Sequence, residues 1–245
     1  MNKVLIIGAT SAQAQATARL FASDGASLFL AGRDPQKLGD VAADLEARGA
    51  ASVDSIVIDL NDLSRHQELI KTADASLEGL EAVLIAHGTL GDQAAGQADF
   101  SVAEQELKTN LLSAVSLLTI LANLLEARGK GCLAVISSVA GDRGRQSNYI
   151  YGTAKGGLSV FLSGLRNRLQ RSGVRVLTIK PGFVDSPMTA EFDKGLLWAK
   201  PEDVAKLIHK AMLKGNGEVY APGFWRLIMF IIKAIPEWLF RRLSL

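Results

Sequence analysis

The sequence predicts an α/β fold: a doubly wound parallel sheet of about seven strands with helices on both faces, followed by an amphipathic C-terminal tail. Three observations carry this. Short β-rich apolar runs alternate with longer segments of helical period along most of the chain. The runs are apolar at successive positions, as strands buried on both faces are. The first run ends in a glycine turn that opens directly into a helix.

The runs are residues 3–7, 27–30, 52–58, 82–86, 132–137, 175–179 and 218–220. Between them lie helical segments over 12–23, 35–47, 62–76, 103–127, 154–170 and 201–214. Leu38, Val41 and Leu45 show the spacing of an amphipathic helix, as do Leu165 and Leu169. Pro35 and Pro201 suit first helical turns, and Gly49, Gly129 and Gly173 suit C-terminal caps. Residues 1–222 read as one domain, and 223–245 as a separate tail.

Composition narrows the function. The 245 residues are 48% hydrophobic and 21% charged, which are globular values. The balance of 27 basic and 25 acidic residues, +2, gives no footing for a nucleic-acid partner. One cysteine, Cys132, forms no internal disulfide and fits a reducing, cytoplasmic setting. Three widely spaced histidines, His66, His87 and His209, argue against a metal site. The N-terminal apolar run is too short for a signal peptide.

Gly8 to Ala16, GATSAQAQA, turns from strand to helix and offers backbone N–H groups and a positive dipole end to a pyrophosphate. Thr10 and Ser11 add hydroxyls, and Gln13 lies in the same turn. Alone, such a turn is equally an ordinary tight connection. The second strand ends in Gly32-Arg33, where NAD-selective folds place an acid; an arginine suits a 2′-phosphate instead. Asp34 comes late and suits a helix cap. After the third strand come Asp59 and Leu60, where a carboxylate can meet an adenine amino group or simply cap a helix.

Tyr151 and Lys155 stand at i, i+4 on one helix face. An ammonium beside a phenol is expected to lower its pKa from roughly 10, making it a general acid or base for carbonyl and alcohol chemistry. Ser138, at a strand end, is placed to bond a substrate carbonyl. A tyrosine and lysine at this spacing would otherwise be a solvated face.

Together, Ser138 and Tyr151-Gly-Thr-Ala-Lys155 resemble the signature of the short-chain dehydrogenase/reductase family, whose fold is of Rossmann type. The resemblance covers residues 1–222. It implies Asn110 as a fourth catalytic residue, holding the lysine through a water. It implies that Pro181, Gly182, Val184 and Ser186 hold the nicotinamide carboxamide, with Ser186 replacing a threonine. Two glycines of the usual cofactor turn are Ala12 and Ala14 here, and the segment after strand four reads Ala86-His87-Gly88 without the usual asparagines. Ala86 and Gly88 remain cofactor contacts by the resemblance, while His87 reads as packing or hydrogen bonding rather than chemistry. The resemblance implies NADP(H)-dependent reduction of a ketone, with Tyr151 as acid, Ser138 polarising the carbonyl and Lys155 tuning Tyr151 and holding the ribose. It also implies a homodimer or homotetramer built on the helices over 103–127 and 152–170.

Two segments bear on the substrate. Arg143 and Arg145, in GDRGR, can grip a substrate phosphate or carboxylate, or form a salt bridge with Asp142 or a subunit contact. In the tail, Trp225, Ile228, Met229, Ile232, Ile235, Leu239 and Leu243 form one stripe, with Arg226, Lys233, Glu237 and Arg241 opposite. Charges and Pro236 break the ~20-residue apolar span that crossing a bilayer requires. The pattern is that of an interfacial helix, split at Pro236, on the inner face of the cytoplasmic membrane, or of a lid or subunit contact. These features resemble a bacterial branch related to the reductase half of decaprenylphosphoryl-ribose epimerase, which implies a lipid-linked keto sugar or long-chain keto lipid. The alternatives are a soluble ketone or 3-oxoacyl thioester, and a sensor or scaffold that binds NADPH without turnover.

Overall fold

The computed structural model describes residues 1–215 and 217–243, so Ser244 and Leu245 of the expected tail lie outside the described residues. The strands are β1 (Lys3–Ile7), β2 (Ser27–Gly32), β3 (Ser52–Val57), β4 (Ala82–Ile85), β5 (Gly131–Ile136), β6 (Val174–Pro181) and β7 (Gly217–Ala221). They form one parallel sheet in the order β3-β2-β1-β4-β5-β6-β7. In chain order the helices are α1 (Ala12–Ser23), α2 (Pro35–Ala47), α3 (His66–Ser76), α4 (Gln93–Ala98), α5 (Phe100–Leu107), α6 (Ser113–Arg128), α7 (Tyr149–Leu169) and α8 (Pro201–Lys214). The tail adds α9 (Trp225–Ala234) and α10 (Glu237–Phe240), divided at Pro236 as the proline requires.

Alternation along the strands explains the unbroken apolar runs. Leu5 and Ile7 point to one face, among Leu69, Leu117, Leu121, Leu158 and Leu162 of α3, α6 and α7. Val4 and Ile6 point to the other, among Phe21, Leu38, Ile208 and Met212 of α1, α2 and α8. Each such burial contributes about 1.5–3 kcal/mol, so a polar residue at either kind of position would be costly. β3 departs from the expected pattern. It is the sheet edge, largely exposed, with Val57 46% accessible and only Val53 and Ile56 packed inward.

The helices also depart from the sequence reading. The segment expected over 103–127 runs from Phe100 to Arg128, widened by a π turn over Lys108–Leu112. α7 starts at Tyr149, five residues before the expected 154. Its β-prone Tyr-Ile-Tyr opening is overridden by tertiary contacts: Gln93 Oε1 accepts from the Ile150 N–H at 3.1 Å, and Ile150 Cδ1 fills the space beside Gly96. α4 was not expected at all. The caps behave as the sequence suggests, with Asp34 accepting from Lys37 N and with Gly49, Gly129 and Gly173 at φ +99°, +68° and +75°.

The crossover from β3 to β4 carries the chain over to the far side of β1. It opens a crevice at the carboxyl ends of β1 and β4, and the segments after β2, β5 and β6 reach the same end of the sheet.

Candidate active site

The turn after β1 sits against the segment after β4. Gly8 has φ +78°, and a Cβ there would fall 2.5 Å from the His87 backbone nitrogen, so the position admits only glycine. Gly8 N and Ala9 N both donate to Ala31 O, at 2.9 and 3.0 Å, which fastens the turn to β2. Ser11 caps α1, its Oγ accepting from Ala14 N at 3.3 Å. Ala14 is fully buried in the helix–sheet core, the packing place that the missing glycine would have filled. The Thr10 carbonyl accepts from Gln15 Nε2 at 2.9 Å.

Among the described residues, two buried acceptors near this turn have no donor: Gln13 Oε1 and His87 Nδ1. The His87 tautomer follows from its neighbours. Ser113 Oγ donates to Leu60 O at 2.6 Å, so at 3.0 Å it accepts from the protonated His87 Nε2, leaving Nδ1 as a bare acceptor. Burial, reinforced by Lys155, pulls His87 down to about 3, so it is neutral and no proton shuttle. Unpaired acceptors beside a glycine-only turn at a helix N-terminus fit a dinucleotide, whose ribose hydroxyls are donors.

Of the other expected cofactor contacts, Arg33 is exposed after β2 and, among the described residues, has no carboxylate partner. Asp59 is exposed and accepts from Asn61 N at 3.0 Å, forming a local turn. The Leu60 carbonyl is already engaged by Ser113 and by His66 Nε2. After β6, Ala199 N donates to Phe183 O and Asp185 N to Ala199 O, which turns the Val184 N–H the other way. Ser186 Oγ lies 3.4 Å from Thr189 Oγ1, so its hydroxyl is weakly engaged. Pro181 ends β6, paired with Ala221, and Gly182 lies under the tail: a Cβ on Gly182 would fall 1.9 Å from the Trp225 indole.

The four expected catalytic residues converge at the carboxyl ends of β4 and β5. Lys155 is buried and donates to Ile136 O at 3.1 Å, with its Nζ 5.7 Å from the Tyr151 ring centre. A Cβ on Gly88 would meet Asn110 Oδ1 at 2.4 Å and Lys155 Nζ at 3.4 Å, so the bare backbone there lets the amide and the ammonium approach. Gly141 lies so close to the α7 backbone at Lys155 and Gly156 that a Cβ would be 2.6 Å away, which registers the Ser138 turn on the helix.

The lowered Tyr151 pKa expected from the sequence is not found. Burial pushes the phenol up to about 12; the Ser138 side chain opposes this and the Glu106 charge adds to it. Burial also pulls Lys155 down to about 8, with Glu106 holding it up. Tyr151 therefore carries its proton at neutral pH and stands as an acid.

Glu106 was missed by sequence reading. It is buried in α5, one turn before Asn110. Its Oε1 accepts from Asn110 Nδ2 at 2.6 Å and its Oε2 from Thr89 Oγ1 at 2.7 Å, while Asn110 Oδ1 accepts from Thr89 N at 3.3 Å. The closed triangle fixes which way the Asn110 amide faces.

The GDRGR loop resolves in an unexpected way. Asp142 pairs with Lys180 at 2.8 Å, both side chains buried, and accepts from Tyr220 at 2.6 Å, so neither arginine takes it. Arg143 donates to Ile232 O and Ile235 O at 2.7 and 2.6 Å, pairs with Glu237 and lies over the Phe240 ring. It clamps the tail and is not a substrate group. The tail stripe is also reassigned: Trp225 and Met229 are buried against Val139, with Ile228 and Ile232 partly covered. The outward face of α9 is a second apolar set, Leu227, Phe230 and Ile231.

Comparison with known proteins follows the same line. A family profile described as short chain dehydrogenase matches residues 2–196. An uncharacterized oxidoreductase of Mycobacterium tuberculosis is 38% identical over 240 residues, covering 98% of this chain and 96% of its own. One from Streptomyces coelicolor is 36% identical over 243 residues, covering 99% and 96%. Among solved structures, levodione reductase superposes with a TM-score of 0.84 at 20% identity, over 92% of this chain and 98% of its own. That likeness is one of fold. A hydroxyl, a phenol and an ammonium at the strand ends of a dinucleotide-type sheet define an oxidoreductase acting on CH–OH or C=O groups. The chain belongs to the short-chain dehydrogenase/reductase family, whose members bind NAD(P)(H).

Proposed function

We propose that the protein is an NADPH-dependent ketoreductase acting on a membrane-borne substrate. The observation that carries the chemistry is the placing of the Tyr151 phenol beside the Ser138 side chain, with Lys155 Nζ 5.7 Å from its ring centre on the same helix face. A nicotinamide cofactor, when bound, would supply the hydride. Ser138 and Tyr151 hold the carbonyl oxygen, and the Tyr151 O–H delivers the proton that completes the alcohol. Lys155 supplies positive charge to the phenolate left behind, and the Asn110 cluster fixes the lysine side. Support for NADPH over NADH is Arg33, without a partner where an NAD-selective site would present an acid. Tyr151→Phe is expected to keep NADPH affinity and lose turnover by about 10²–10⁴-fold. Undiminished turnover would overturn the assignment.

The membrane reading rests on the outer face of the tail. Leu227 and Phe230 are 65% and 68% exposed, and Ile231 and Trp238 are more than half exposed. Arg226, Lys233, Arg241 and Arg242 are exposed beside them, which suits anionic headgroups. The same tail covers Gly182, so docking brings the nicotinamide segment to the membrane. Leu227→Glu with Phe230→Glu changes only outward residues and should leave folding intact. Wild type is expected to float with phosphatidylglycerol vesicles at physiological salt and the variant to remain unbound. If neither floats, the tail is a lid or a subunit contact and a soluble ketone or acyl thioester becomes the substrate to test; if both float, this face of the tail is not what docks.

A further inference from the structure

Between Ser138 and Tyr151 the loop carries three charged side chains, and two are fully engaged. Asp142 binds Lys180 and Tyr220, and Arg143 holds the tail. Arg145 is different. It is half-buried, and among the described residues its buried Nε has no acceptor and its one hydrogen bond is a long one, Nη2 to Val139 O at 3.5 Å. Among the described residues no carboxylate pairs with it. Val139 directly follows Ser138, so this bond ties the guanidinium to the turn that carries the Ser138 hydroxyl.

A guanidinium partly taken out of water with no carboxylate hydrogen-bonded to it is costly: burial weakens its hold on the proton, and the Asp142 charge, committed to Lys180 and Tyr220, opposes this only from a distance. Proteins keep such a group where a ligand completes it. Two more buried polar atoms without partners lie at the start of α7 and in α4, Asn148 Oδ1 and Gln93 Nε2. Gln93 is tied to α7 through Ile150 N. The segment from Arg145 to the start of α7, with the facing α4, is therefore rich in polar atoms, opposite in character to the apolar tail.

We infer that Arg145 is the anion-binding group of the substrate pocket and that the ketone carries an oxyanion, phosphoryl or carboxylate, near its carbonyl. The inference deepens the ketoreductase reading and rests on it. A planar fork meeting an oxyanion makes charge-assisted bonds worth about 1.5–3 kcal/mol each, a factor of about 10–100.

The test uses matched ketones with the NADPH-saturated protein. Wild type should favour dihydroxyacetone phosphate over dihydroxyacetone, or 4-oxopentanoate over 2-pentanone, by about tenfold or more in kcat/KM. The two pairs separate phosphate from carboxylate. In Arg145→Gln the preference should fall to about one through KM, with NADPH affinity unchanged, and Arg145→Lys should restore part of it. A preference equal in wild type and Arg145→Gln overturns the inference. If no ketone is turned over, the ketoreductase reading is what fails. Inorganic phosphate then still tests Arg145: it should raise the melting temperature of the NADP⁺-saturated wild type more than that of Arg145→Gln, and equal shifts overturn the site. Flotation with phosphatidylglycerol vesicles separates substrate anion from headgroup: Arg145→Gln should float as wild type does, and loss of flotation assigns the arginine to the membrane and overturns the inference.

Discussion

Glu106 shows what a single buried carboxylate does to its neighbours. Both its oxygens accept hydrogen bonds, from Asn110 and Thr89, so it is built to be ionised although burial raises its pKa. The charged or titratable groups that feel it are Lys155 and Tyr151, with His87 close by and neutral. Lys155 loses its proton as pH rises through about 8, and the Glu106 charge is what opposes that loss. Glu106→Gln is therefore expected to move the alkaline fall of kcat toward neutral pH by about one unit. Glu106→Asp should keep most of the wild-type profile. An unmoved alkaline limb in Glu106→Gln would reduce Glu106 to packing. The sequence made Ser138, Tyr151, Lys155 and Asn110 legible because their spacing is short or matches a known signature. Glu106 was not legible, since a glutamate in an amphipathic segment reads as solvated surface. Only the packing of Thr89 and Gly91 against it reveals the burial.

At the scale of elements, the sequence gives away periodicity and hides where periodicity is overridden. The π turn at Lys108–Leu112 leaves no mark in the apolar pattern, yet it places Asn110 inward within an otherwise continuous helix. The tail illustrates the opposite case. Its apolar stripe was legible, and Trp225, Ile228, Met229 and Ile232 of that stripe are the face that packs, against Val139, Tyr220 and Gly182; the second, outward apolar set was not legible, because charges interrupt it. Arg143 holds that arrangement through three backbone carbonyls of the tail and Glu237. Arg143→Ala removes partners from α9 carbonyls at a cost of about 1–2 kcal/mol, which raises the opened population by a factor of about 5–30. The expected result is faster tryptic cleavage at Lys233 in the native protein, with NADPH affinity unchanged. Cleavage at the wild-type rate would show that Trp225 and Met229 alone anchor the tail.

At the scale of the whole molecule, two of the exposed apolar surfaces differ in charge, and different partners are expected of them. On α6 and α7 the outward residues include Val160, 73% exposed, with the small Gly157 and Gly164 one turn to either side, and Leu112 lies exposed at the π turn. Small residues let a second helix approach closely, and a two-fold axis would bring like surfaces together. The tail is unsuited to that arrangement. A two-fold axis there would bring Arg226, Lys233, Arg241 and Arg242 against their own copies, and repulsion would oppose the contact. The same cations favour an anionic bilayer. Self-association through α7 is therefore expected to be separable from membrane docking through the tail. Val160→Asp would place carboxylates face to face across the axis at an already exposed position, so folding should be preserved. Sedimentation should show an oligomer for wild type and a monomer for Val160→Asp, with equal melting temperatures after correction for concentration and equal flotation on phosphatidylglycerol vesicles. If Leu227→Glu with Phe230→Glu dissociates the oligomer instead, the tail is the subunit contact, and the membrane assignment falls with it.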